Sequence, residues 1–217
     1  STGADRSDGT GREDPSSVAL GNADVLNAIN AHRALVDASQ IVGLDADGAV
    51  LLGPVSDNAV FRLPRASVVG RVAAGRALHR MERELRIAEW LADRNFPAVR
   101  GATGIVQPVV LPGWAVTFWV EIVSPVQAST SEMGTLLRRL HDLQTPEELD
   151  LEVTDPLAGV PEHIASATGV ATTERAFLTD RTQQLRDSFE RLVFTAPAGP
   201  VHGDAHRKNI VRDVTGQ

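Results

Sequence analysis

Near the C-terminal end of the chain, Val201-His202-Gly203-Asp204-Ala205-His206-Arg207-Lys208-Asn209-Ile210 places an Asp five positions before an Asn, with apolar residues at both ends. The pattern predicts a strand that delivers a polar loop and a second strand that leaves it. Gly-Asp and Asn are also common turn residues, so the plain alternative is an ordinary loop. The spacing nevertheless has chemical content. A carboxylate can take the proton of an attacking hydroxyl, and a carboxamide can hold a Mg²⁺ on nucleotide phosphates. One short loop can carry both groups to either side of a transferring phosphoryl group.

Composition narrows the setting. The chain has 217 residues, 42% of them hydrophobic, and a formal net charge of −7. One large or two small globular domains are expected. There is no Cys, so disulfides, zinc thiolates and a cysteine nucleophile are excluded. There is no Tyr and aromatics are 4%, which leaves few stacking platforms for single-stranded nucleic acid. The acidic balance also argues against a phosphate-backbone partner. No apolar run approaches a membrane span, and the polar start of the chain has no signal-peptide core, so a cytoplasmic protein is expected. Lys208 is the only Lys, so any role that usually falls to a Lys must pass to Arg or be absent.

Residues 1–19 begin as a Gly-, Ser-, Asp- and Arg-rich stretch without apolar periodicity and read as a disordered tail. Residues 22–38 read as an amphipathic helix with Val25, Leu26, Ile29, Ala31, Leu35 and Val36 on its buried face. Residues 41–44 and 49–52 read as strand segments around the turn Asp45-Ala46-Asp47-Gly48. A polar interruption, residues 53–58, precedes a strand at residues 59–63. A turn at residues 64–67 then leads to a strand at residues 68–73. In that strand Val69 and Arg71 share one face, while Val68, Gly70 and Val72 share the other. A helix follows from residue 75 to about residue 95, with Leu78, Met81, Leu85, Ala88 and Leu91 as its stripe. Glu84 lies on or beside that stripe, where a carboxylate calls for a cation. A local pair with Arg80 on the helix surface is the plain reading.

Residues 104–110 and 114–122 look like a hairpin closed by Leu111-Pro112-Gly113, completing five strands. A helix is expected over residues 131–143, capped by Thr130 or Ser131, with His141 as a structural or surface residue. Residues 145–161 read as a loop. Residues 173–192 read as a helix with Phe177, Leu178, Leu185, Phe189 and Leu192 as its core face.

His202-Gly203-Asp204 followed by Asn209 resembles the catalytic loop of the aminoglycoside phosphotransferase and choline kinase-like small-molecule kinases, which share the protein-kinase fold. The order of the upstream elements fits that resemblance across most of residues 20–217. It implies an α+β, protein-kinase-like fold: a five-stranded antiparallel, nucleotide-binding N-lobe over residues 20–122, and a mainly helical C-lobe over residues 123–217. That family holds a further metal-binding Asp about a dozen residues after the Asn, as well as more C-terminal helices. Asp213 is too close to Asn209 for that role, so a C-lobe truncated after the catalytic loop is expected.

The resemblance also implies roles. Asp204 would be the base and His202 would support its loop. Asn209 would hold Mg²⁺. Gly53, Ser56 and Asn58 would cover the phosphates of ATP or GTP. Arg71 would take the place of the usual strand Lys on those phosphates, with Arg62 as second choice and a solvated Arg71 as the plain alternative. Glu84 would orient Arg71. Glu121 and Val123 mark the hinge whose backbone reads the base. Lys208 could contact phosphate or remain solvated. The expected partner is a small-molecule hydroxyl acceptor, aminoglycoside-, choline- or sugar-like. Neither nucleic acid nor membrane is expected, and homo-oligomerisation stays open. The competing readings are a non-catalytic, nucleotide-binding pseudokinase and a regulatory or interaction fragment.

Overall fold

A computed structural model describes residues 26–213. The tail predicted over residues 1–19 and the first residues of the helix predicted from residue 22 lie outside them. Residues 26–124 with Asp213 form one compact unit, and residues 125–212 form another.

The first unit opens with helix α1 (Ala28–Val42). Asn27 caps it, its side chain accepting from the backbone N–H groups of Ile29 and Asn30. The helix takes in Ile41 and Val42, where a strand was expected. It stops at Gly43, whose φ of 73° supplies the left-handed C-terminal cap. The buried face also differs from the expected one. Ala31, Ala34, Leu35 and Ala38 are buried, whereas Ile29 is 74% exposed. Small alanines let the helix lie close to the sheet, and this close approach decides the face.

That sheet is antiparallel, in the order β1 (Val50–Leu51), β2 (Asn58–Leu63), β3 (Val68–Ala74), β5 (Trp114–Val120), β4 (Val109–Leu111). Gly70 pairs with Phe61 on one side and Phe118 on the other. On this face Phe61, Leu63, Val72, Val116 and Phe118 form one core with α1. A Cβ on Gly70 would collide with Leu35 Cδ1, so the absence of a side chain there admits the helix. The alternate residues face the other way. Ala73 and Ala115 meet Met81 of helix α2 (Leu78–Asp93). The sheet thus has a helix on each face.

The hairpin strand predicted over residues 104–110 shrinks to β4, Val109–Leu111. The rest of the β5 edge is closed by irregular chain. Ala102 N–H donates to Phe118 O at 2.9 Å, and Val120 N–H donates to Arg100 O at 2.8 Å. The Gln107 carboxamide finishes the edge like an added peptide group. It accepts from Phe118 N–H at 2.7 Å and donates to Ala102 O at 3.0 Å.

In the second unit, β6 (Val126–Gln127) leads into helix α3 (Thr130–His141). Ser129, not Thr130 or Ser131, is the cap. Its hydroxyl accepts from Glu132 N–H, and Glu132 Oε2 accepts from Ser129 N–H, a reciprocal capping box. The predicted loop over residues 145–161 contains one 3₁₀ turn, Glu147–Leu149, and runs into an unanticipated helix α4 (Val160–Ser166). Helix α5 (Thr172–Glu190) follows. Arg175 donates to the carbonyls of Ile164, Ala165 and Ala167, satisfying the last turn of α4.

The expected core face of α5 is not buried. Phe177 is 67% exposed, and Leu178, Leu185, Phe189 and Leu192 are exposed as well. Periodicity reports which face of a helix is apolar, not what covers it. Nothing among the described residues buries this face.

The strand expected to deliver the polar loop is also absent, because Pro197 and Pro200 have no N–H for a ladder. The departing strand, β7 (Val211–Arg212), does form and pairs antiparallel with β6. Ile210 is buried beside it, and its carbonyl accepts from Ala128 N–H.

Candidate functional site

In the first unit the cross-strand row Val60, Arg71, Thr117 points to the α2 face of the sheet. Arg71 Nη1 donates to Glu84 Oε2 at 2.5 Å, the side chains being 23% and 30% exposed. Strand alternation aims Arg71 at the helix, and the Met81 and Ala88 stripe turns Glu84 to the sheet. The alternative partner is present too, with Arg80 Nε 3.8 Å from the other oxygen, Oε1. Arg62 is turned elsewhere, 3.8 Å from Glu121 Oε1.

The remaining candidates of this unit lie on the loops around the sheet. Gly53, at φ 79°, and Ser56 are exposed between β1 and β2. Ser56 N–H donates to Asn58 O, and Asn58 is already the first residue of β2. Its register partner is Ala73, so Asn58 shares the Arg71 face. Glu121 follows β5 directly, and its N–H donates to Ser67 O at 3.2 Å. Val123 is exposed two residues on.

In the second unit the loop from His202 to Asn209 is exposed. Gly203 has φ 77°, which reverses the chain before Asp204. Asn209 Nδ2 donates to Asp204 Oδ2 at 2.8 Å and to Asp204 O at 3.1 Å. Both histidines serve the loop's backbone. His202 Nδ1 accepts from Asp204 N–H, and His206 Nδ1 accepts from Lys208 N–H. His206 Nε2 lies 3.7 Å from Asp204 Oδ2. Lys208 is exposed, and so is His141 on α3.

The arrangement can be tested for a metal. Among the described residues no group of three or more His, Asp and Glu side chains converges to hold one. Asn209, with its amide nitrogen turned to Asp204, has its oxygen left to offer. One protein oxygen suits a Mg²⁺ that keeps waters and is carried by substrate phosphates. The donor set therefore fits a nucleotide-borne cation and not a protein-built metal centre.

Two residues near these groups were not anticipated. Thr117 is fully buried directly opposite Arg71, and its hydroxyl accepts from Trp119 Nε1 at 3.0 Å. Gln107 holds the β5 edge from a segment taken for strand. The position of Thr117 was available from strand alternation, but the contact made by Gln107 was not available from any local pattern.

Known proteins give the family. The profile of the phosphotransferase enzyme family matches residues 47–217. A search of curated proteins gave no match. Among solved structures, the aminoglycoside phosphotransferase APH(3'')-Id from Streptomyces rimosus is similar, with 20% identity and a TM-score of 0.58 over 85% of this chain and 72% of that one. The same enzyme in complex with ADP and streptomycin aligns at 21% identity and a TM-score of 0.57, with the same coverage. Spectinomycin phosphotransferase APH(9)-Ia, in complex with ADP and spectinomycin, aligns at 12% identity and a TM-score of 0.57, over 83% of this chain and 64% of that one. The fold is the α+β, protein-kinase-like one with a five-stranded antiparallel sheet. With more than half its length inside the family profile, the chain belongs to the phosphotransferase enzyme family.

Proposed function

We propose that the protein transfers the γ-phosphoryl group of ATP or GTP to a hydroxyl of a small molecule, with Asp204 as the base. The observation that carries this reading is the single loop on which Asn209 holds the Asp204 carboxylate. Oδ2 of Asp204 accepts from Asn209, which leaves Oδ1 to accept the proton of the acceptor hydroxyl. The hydroxyl oxygen bonds to the γ-phosphorus, the bond to the β,γ-bridging oxygen breaks, and the nucleoside diphosphate leaves. When bound, Mg²⁺ neutralises charge on the phosphate oxygens, and Asn209 Oδ1 is the protein group suited to it. Arg71, oriented by Glu84, offers its remaining N–H groups to the phosphates. Gly53, Ser56 and Asn58 are suited to cover them. The backbone around Glu121 and Val123 is suited to read the base, and His202 supports Asp204 through its backbone N–H. Aminoglycoside-, choline- and sugar-like alcohols are the acceptor classes. ADP and aminoglycoside complexes of the structural relatives support nucleotide use and that choice.

The experiment has two arms. Thermal unfolding is measured with and without Mg²⁺-ATP or Mg²⁺-GTP, since a ligand of the folded state raises the midpoint. Diphosphate release is then followed with a panel of hydroxyl acceptors. The Asp204→Asn variant should keep the nucleotide-induced shift and lose turnover by about 10²- to 10⁴-fold. Undiminished turnover in that variant would remove Asp204 from the chemistry. A nucleotide shift without turnover in the parent protein would favour the pseudokinase reading.

A further inference from the structure

Glu84 is engaged at both oxygens. Oε2 accepts from Arg71 at 2.5 Å, and Arg80 Nε approaches Oε1 at 3.8 Å. A surface pair along α2 would be the ordinary account of the second contact, but two features oppose it. The Arg80 side chain is 42% exposed, yet its Nε atom is buried beside Glu84 and has no hydrogen-bond partner, so that donor faces Glu84 without having completed a bond there. An Arg four residues before a Glu is also the weaker order for pairing on a helix, so the contact contributes little to the helix itself.

Charge gives the contact a purpose. Arg71 and Glu84 alone sum to zero, which is a poor lure for an anion. With Arg80 the cluster carries two guanidinium charges against one carboxylate. The buried Nε is also a ready donor. Closing the 3.8 Å gap by under one ångström would complete a hydrogen bond on Oε1 whenever Arg71 shifts its own donors to a ligand.

We infer that Arg80 is a positioning residue for nucleotide phosphates: it holds Glu84 from the side away from Arg71 and leaves the cluster one positive charge in excess. This rests on the reading of the protein as a nucleotide-dependent phosphotransferase.

The test is Mg²⁺-ATP affinity at low and high salt for the parent protein and for Arg80→Gln, Arg80→Lys and Arg86→Gln. Arg86 is exposed on the same helix, so its variant makes the same change in net charge away from Glu84. Arg80→Gln should weaken binding on the order of three- to fivefold at low salt, with a smaller loss at high salt. Turnover at saturating nucleotide should change less than affinity does. Arg80→Lys should recover most of the loss, and Arg86→Gln should bind like the parent. Parent binding that Arg80→Gln leaves within twofold, or an equal loss in Arg86→Gln, would overturn the role of Arg80 alone. No binding by the folded parent would overturn the nucleotide site itself, and the inference with it.

Discussion

One carboxamide ties the two ends of the candidate catalytic loop together: Asn209 Nδ2 reaches both the side chain and the backbone carbonyl of Asp204, at 2.8 and 3.1 Å. The loop carries its own brace, independent of any ligand. A substitution at Asn209 therefore acts on the aim of Asp204 as well as on any cation.

Asn209→Asp separates those two effects. It keeps an oxygen for a cation but replaces the donor with a second carboxylate against Asp204. Without Mg²⁺ the like charges should push the loop apart, and turnover should fall by about 10²-fold or more even at saturating Mg²⁺. Asn209→Ala should lose the Mg²⁺-dependent part of the nucleotide-induced midpoint shift. Steady-state kinetics across a Mg²⁺ titration reads both. Parent-like turnover in the Asp variant would show that the brace is dispensable.

Gly70 should tolerate no side chain while Leu35 is in place. Leu35 is fully buried, so it has little room to withdraw. Gly70→Ala should cost about 1–3 kcal/mol by overpacking. Leu35→Ala should also destabilise alone, but the double variant should cost less than the sum of the two. Denaturant unfolding of the four proteins gives the coupling, and strict additivity would contradict the contact.

Gln107→Ala should leave Phe118 N–H unpaired at the edge of a fully buried residue, costing about 1–3 kcal/mol. Gln107→Glu keeps the acceptor and loses the donor to Ala102 O, and should fall between. Hydrogen exchange localises the effect. The Phe118 amide should lose protection in the Ala variant, and an unchanged rate would rule out the bond.

Acid should loosen the start of α3 through Glu132. Hydrogen bonds from Ser129, first from its hydroxyl and then from its backbone N–H, hold the Glu132 carboxyl below its ordinary value of 4.5, with help from Arg212. A depressed folded-state value means that the contribution is present above about 4.5 and is lost as pH falls through the lower folded value. Glu132→Gln should flatten that part of the stability–pH profile by lowering stability at neutral pH while leaving the acid end nearly unchanged. A parent-like acid slope in the variant would place the sensitivity elsewhere.

Local periodicity made much of the fold legible. Strand alternation in residues 68–74 fixes the face that Arg71 shares, and the stripe of α2 puts Glu84 at its edge, but pairing the two came from the family resemblance, and the structure brings them together. Local patterns misled where two signals competed. Ile41 and Val42 have strand-like chemistry, but the chain stays helical until Gly43 provides a left-handed stop. Three cap-competent residues stand in a row at 129–131, and only Ser129 has a Glu three positions on. That signal was available in the sequence and outranked the others. The Gln107 bridge was out of reach, because it joins a side chain to a strand 11 residues away with no period to announce it. The apolar stripe of α5 was read correctly as a stripe. Its exposure depends on what lies across from it, which no single helix encodes.

Lysine scarcity at an exposed candidate catalytic loop has a practical consequence. Lys208 is the only side-chain amine in the chain, and it stands one residue before Asn209 in the open. An amine-selective reagent therefore reads a single side-chain address. A dye or isotope placed there by ordinary acylation would sit beside the brace between Asp204 and Asn209 and report its rearrangement, with no competing lysines to remove first.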